Sequence, residues 1–161
     1  MAEDEKDRME TDEEGKQIAA DFFKHFGYVV TATTYENDRL DGAFNTKIGI
    51  IGLEVKNMSV DRYTNYNDIP IAANKYDYSI NDGKMASGLT KTFKLDYVKT
   101  EDGIVCMITD FAKCKLYKPQ LKNWPIGNYK GAPKRPQWIH FIPREEMRSK
   151  WLITNNKIIK L

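Results

Sequence analysis

The apolar positions of this chain switch between two periods. Ile18, Ala19, Phe22, Phe23 and Phe26 recur at helical spacing, forming one stripe of an amphipathic helix. Thr11-x-x-Glu14 ahead of the stripe fits a capping box, and Gly27 after it suits the left-handed residue that closes a helix. A helix starting at Thr11 and ended by Gly27 is therefore predicted. Beyond it β-branched residues take over. GYVVTATT (27–34) predicts a first strand, and Asp41–Phe44 with Ile50–Lys56 predicts an antiparallel hairpin turning near Asn45–Lys47. Asn57–Asp68 is polar and aromatic and reads as a loop. Ile69-Pro70-Ile71 is extended because of its proline, and Ala72–Ile80 is a short helix closed by Asn81-Asp82-Gly83. TFKLDYVKT and IVCMITD, on either side of Glu101-Asp102-Gly103, predict a further hairpin. Five of the six prolines fall between Pro119 and Pro143, so that region is expected to be mostly loop, with one strand near Trp138–Ile142. Arg144–Leu152 reads as a closing helix, and TNNKIIKL as a turn and short strand.

This order predicts one α/β domain, a mixed β-sheet core flanked by helices, over residues 11–161. Residues 1–10 are expected to be an acidic disordered tail, since they hold too few apolar groups to order themselves. A chain of 161 residues is long enough for one substantial core, and its 30% charged and 41% hydrophobic residues are those of an ordinary globular protein. No apolar run approaches the roughly 20 residues that span a bilayer. The acidic start has no signal-like apolar segment, which predicts no membrane partner and a cytoplasmic setting. Cys106 and Cys114 have neither CxxC spacing nor nearby histidines, against a disulfide framework or a zinc site.

Candidate chemistry is concentrated in DGAFNTKIGIIGLEVKN, Asp41–Asn57. On an extended strand Glu54 and Lys56 share one face, while Ile51, Leu53 and Val55 share the other. A strand this apolar belongs inside a sheet, where an acid and a base are costly unless paired or given a ligand. The hairpin brings Asp41 roughly opposite Glu54. Two carboxylates meeting at one point suit a hard divalent cation, and an adjacent lysine can hold or deprotonate a water and offset negative charge. Such a set suits hydrolysis of a phosphodiester. The competing reading is an exposed salt-bridged pair at a fraying strand end, with Asp41 starting a turn before Gly42.

The Asp41, Glu54-x-Lys56 pattern resembles the PD-(D/E)XK nuclease superfamily, and more loosely the small nucleases encoded by phages. Leu40 stands where the family's proline is usual. The resemblance runs from about Thr11 to Pro119. It implies a restriction-endonuclease-like fold and a magnesium-dependent DNA nuclease, with manganese able to replace magnesium, in a bacterial or phage-infected cell. Asp41, Glu54 and Lys56 would be catalytic, and Asp41, Glu54, the Val55 carbonyl and Glu14 would be metal ligands. Glu14 has a rival role as the helix cap, and Asp38 is a rival to Asp41. A homodimer would suit cutting two strands.

Charge distribution adds a partner. Residues 1–14 hold eight acids and two bases, so the rest of the chain carries +8 against a total of +2. Phe111–Arg144 contains eight Lys and Arg and no acid, interleaved with Phe111, Tyr117, Trp124, Tyr129, Trp138 and Phe141. Cations neutralise phosphates and rings stack on bases, so Lys113, Lys115, Lys118, Lys130, Lys134 and Arg135 are expected to contact DNA. Arg62, Tyr63 and Tyr66 follow the strand closely enough to line an entrance, and Lys75 or Gln17 could position a phosphate or water. His25 and His140 lack a triad context and read as structural. No phosphate-binding glycine loop is present. The alternative function is a non-catalytic nucleic-acid-binding or virion-associated protein on a nuclease-like scaffold.

Overall fold

The structure is a computed structural model that describes residues 3–31, 40–77, 89–125 and 131–161, with the side chains of 3–12 and 89–90 excepted. Helix α1 spans Glu3–Lys24. It therefore starts well before Thr11, through residues expected to be a disordered tail. Glu, Lys, Met and Arg are good helix formers, and acids are favoured at a helix N-terminus. The helix ends as its sequence implies: Gly27 has φ 85°, and the Tyr28 N–H reaches back to the Phe23 carbonyl at 3.0 Å.

Strands β1 (Gly42–Thr46) and β2 (Gly49–Asn57) form the expected hairpin. Of the expected first strand, residues 28–30 have no strand pairing and Thr31 makes an isolated bridge to Ala43, while residues 32–34 lie outside the described residues, as does Asp38. The predicted loop after β2 contains a short helix, α2 (Val60–Asn65), capped by the Ser59 hydroxyl accepting from the Arg62 N–H at 3.1 Å. Strand β3 (Asp68–Ala72) and helix α3 (Ala73–Asp77) follow. Strands β4 (Leu89–Thr100) and β5 (Gly103–Asp110) are the second predicted hairpin.

Two expectations fail beyond β5. The proline-rich segment is not mostly loop: after a 3-10 turn at Phe111–Lys115 it supplies β6 (Gln120–Pro125) and β7 (Lys134–Pro143). These join β3 in a three-stranded antiparallel sheet ordered β3-β7-β6, so Pro70 and Pro125 stand on its outer strands, where a missing N–H is tolerated. Arg144–Leu152 is not a helix either. Only Arg144–Glu146 makes a 3-10 turn, and Ser149–Thr154 becomes β8, antiparallel to β5. A tight turn at Asn155 and Asn156, both at positive φ, leads into β9 (Lys157–Lys160).

The result is a mixed α/β domain. Its larger sheet is ordered β1-β2-β4-β5-β8-β9, with β2 and β4 parallel and every other pair antiparallel. One face carries α1, whose Ile18, Ala19, Phe22 and Phe23 pack on Phe44, Ile51, Leu53, Leu95 and Tyr97. The other carries the small sheet and short helices through Met58, Tyr66, Ile69, Ile71, Val98, Met107 and Ile142. Among the described residues no helix is long and apolar enough to cross a membrane.

Candidate active site

The hairpin register pairs Gly42 with Leu53, which sets Asp41 beside Glu54. Backbone and side chain of Asp41 both grip β2: its N–H donates to the Leu53 carbonyl at 2.8 Å, and its Oδ2 accepts from the Val55 N–H at 2.7 Å. Strand alternation does the rest. Leu53 and Val55 turn towards α1, while Glu54 and Lys56 turn towards the small sheet. The exposed, fraying salt bridge is excluded by burial, since Glu54 is 4% exposed.

Around Glu54 the charges alternate. Lys56 Nζ lies 3.4 Å from its Oε1, and Lys75 Nζ, brought in by α3, lies 3.5 Å from its Oε2. The parallel register then sets Lys94 beside Glu54 and Asp96 beside Lys56. An acid-x-base on β2 thus faces a base-x-acid on β4. Lys94 donates to the Pro70 carbonyl and pairs with Asp96 at 3.2 Å, both side chains almost wholly buried. Burial, and next the Asp41 carboxylate, push the Glu54 acid above its usual range, against the pull of Lys56, Lys75 and Lys94. Burial also holds Lys94 below the usual lysine range, opposed chiefly by Asp96. Glu54 Oε2 and Asp96 Oδ2 are buried without a hydrogen bond.

Glu14 does not join this cluster. Its carboxylate accepts from Tyr97 Oη at 3.1 Å and Lys99 Nζ at 2.9 Å, on the α1 face of the sheet. Among the described residues no three His, Cys, Asp or Glu side chains gather as a metal-binding group. Of the other residues singled out in the sequence, Arg62 and Lys75 line the cavity beside Glu54. Tyr66 is buried, with its hydroxyl on Met107 Sδ at 3.1 Å, and Gln17 binds Asp21 on the outer face of α1. His140 is buried with Nδ1 2.7 Å from the Tyr117 carbonyl, a structural contact. Cys106 and Cys114 are free, and burial pushes both thiols up to about 12.

Lys94, Asp96 and Gln137 are the site residues that sequence reasoning missed. TFKLDYVKT reads only as one arm of a hairpin, and its parallel pairing with β2 is what reveals Lys94 and Asp96 as buried charges of the site. A signal did exist: Lys94 and Asp96 repeat the i, i+2 spacing of Glu54 and Lys56 with signs reversed.

The basic segment divides. Lys134 and Arg135 are exposed on β7, paired in register with Pro125 and Trp124 at the cavity wall. Lys113 instead pairs with Glu146 at 2.8 Å, and Lys115 shares a groove with Asp110, Glu145 and Glu146. Lys130 lies outside the described residues. In comparisons with known proteins, no family model matches the chain and no curated protein matches it.

Proposed function

We propose that this protein is a magnesium-dependent DNA nuclease with a restriction-endonuclease-like core. One observation carries the reading: Asp41, just ahead of β1 and bonded to the Val55 N–H, is set by the hairpin register beside Glu54, whose buried carboxyl shares its face of β2 with Lys56. The element order supports it: a helix, a segment bridged to β1, the β1–β2 hairpin and a crossover to a parallel β4 resemble the helix, strands, helix and strand expected of that superfamily.

The residues present fit magnesium, which keeps several waters and needs only one or two carboxylates. Asp41, Glu54 and the Val55 carbonyl would hold it, while Glu14 is engaged elsewhere. Bound there, the ion would lower the pKa of a water and offset charge on the phosphate. Lys56 orients the attacking water, and Lys75 supplies positive charge from the far side of Glu54. The water oxygen gives up a proton and bonds to phosphorus, the bond to the leaving oxygen breaks, and that oxygen takes up a proton, so one water is consumed.

Incubation of purified protein with labelled single-stranded, duplex and branched DNA, and with RNA, in magnesium or EDTA tests this. Cleavage of DNA in magnesium alone, abolished by Glu54→Ala and by Lys56→Ala, is expected; cleavage that survives either substitution would sink the mechanism. A second reading, a binder without chemistry, draws on the Glu54 carboxyl being held by Lys56 and Lys75, with no third metal-ligating side chain gathered at Asp41 and Glu54 among the described residues. DNA binding without cleavage and without magnesium-dependent stabilisation would favour it.

A further inference from the structure

Behind the Glu54–Lys56 pair, a cavity of about 260 Å³ opens between the two sheets. Asp96, Arg62, Trp124, Gln137, Asn57 and Asn74 contribute to its wall. Small-molecule sites run from roughly 300 Å³ upwards, and this cavity, just below that bound, has room for one small group rather than a duplex.

Its wall has two chemistries. The Arg62 guanidinium lies over the Trp124 ring, 5.3 Å from its centroid, and Trp124 meets Phe141 edge-on at 5.6 Å. Gln137 Nε2 donates to the Trp124 carbonyl at 2.9 Å and ties that ring's strand to β7. Planar cations and aromatic rings of this kind are the surfaces on which unstacked bases lie. Deeper in, Asp96 is 2% exposed; one oxygen holds Lys94, and the other is buried with no donor. A buried acceptor without a donor is costly and calls for a ligand N–H or O–H.

We infer that this cavity takes one unpaired nucleotide of the DNA, its base against the Arg62–Trp124 wall and its N–H donors directed to Asp96. The inference rests on the nuclease reading, because Glu54 and Lys56 line the same cavity and would stand at the neighbouring phosphate. It adds that the substrate must present an unpaired base beside the scissile bond, as a single strand, flap or frayed end does, or by flipping one out.

A labelled DNA hairpin with a short unpaired overhang fixes the register, and binding in EDTA removes cleavage from the measurement. Overhangs carrying one abasic residue at successive positions are compared by anisotropy. Loss of the base at one position should weaken binding about tenfold, with less than about twofold effects elsewhere. Trp124→Ala and Asp96→Asn should each erase that positional difference; should Asp96→Asn fail to fold, Trp124→Ala and the wild-type series decide. A flat abasic series, a blunt hairpin bound as tightly as the overhang, or a positional effect that survives Trp124→Ala would overturn the inference. The nuclease reading fails separately, on cleavage that persists in Glu54→Ala.

Discussion

Glu54 sits where burial and Asp41 favour the protonated acid while three lysines favour the carboxylate. A carboxyl with a folded pKa above its unfolded value near 4.5 binds its proton more tightly in the fold. Its contribution is therefore full below 4.5 and is lost as pH rises through the raised folded value. Across that window the wild-type Tm should fall with pH more steeply than that of Glu54→Gln, and parallel slopes would refute the burial argument. Magnesium should stabilise the wild type by about 2.7 kcal/mol at roughly a hundred times its Kd, and neither Glu54→Gln nor Asp41→Ala should respond. The Lys94–Asp96 pair invites a double-mutant cycle. Lys94→Met alone leaves a buried carboxylate unpaired and should cost about 3–5 kcal/mol in denaturant unfolding, and adding Asp96→Leu should recover most of it.

At the scale of elements, two glycines set how closely neighbours approach. Gly15 interrupts α1 where a side chain would press on Val55 and Tyr97, at 3.2 and 3.3 Å from an added Cβ, so the helix can lie flat on β2 and β4. Gly103 opens β5 at φ 143°, and an added methyl would overlap the Ile153 carbonyl of β8. Gly103→Ala should therefore destabilise by more than about 1 kcal/mol, read as a shift in the unfolding midpoint. A neutral result would mean that the β5–β8 pairing is looser than described. The same pairing explains the failed helix at Arg144–Leu152. Arg, Glu and Met favour helix locally, but β5 offers Ile104–Ile108 as an edge, and Ser149–Ile153 closes it in register.

For the whole molecule, the basic segment is a set of unequal charges rather than one uniform surface. Lys134 and Arg135 stand exposed beside the cavity wall, whereas Lys113 is held by Glu146. Reversing Lys134 and Arg135 to Glu should weaken DNA binding and flatten the salt dependence, by roughly 0.7–0.9 in log–log slope for each phosphate no longer neutralised. Lys113→Glu should change the slope little. Equal effects from the two sets, measured by titration across salt concentrations, would show that the whole segment contacts DNA alike.

Local pattern alone was enough for α1's apolar stripe, the β1–β2 hairpin, the β4–β5 hairpin and the face shared by Glu54 and Lys56. Each rests on neighbours within a helical turn, a tight turn or a two-residue alternation, and such signals are written in consecutive residues. Asp41 beside Glu54 was legible for the same reason, because a short hairpin fixes its own register. Only the tertiary structure decided which strand runs parallel to β2, and so made Lys94 and Asp96 part of the site. It also folded the proline-rich segment into a second sheet across the larger one, enclosing the cavity. And it drew Glu14 to Tyr97 and Lys99, away from Glu54. These outcomes depend on contacts between segments far apart in the chain, where local propensity is a small term beside burial and pairing.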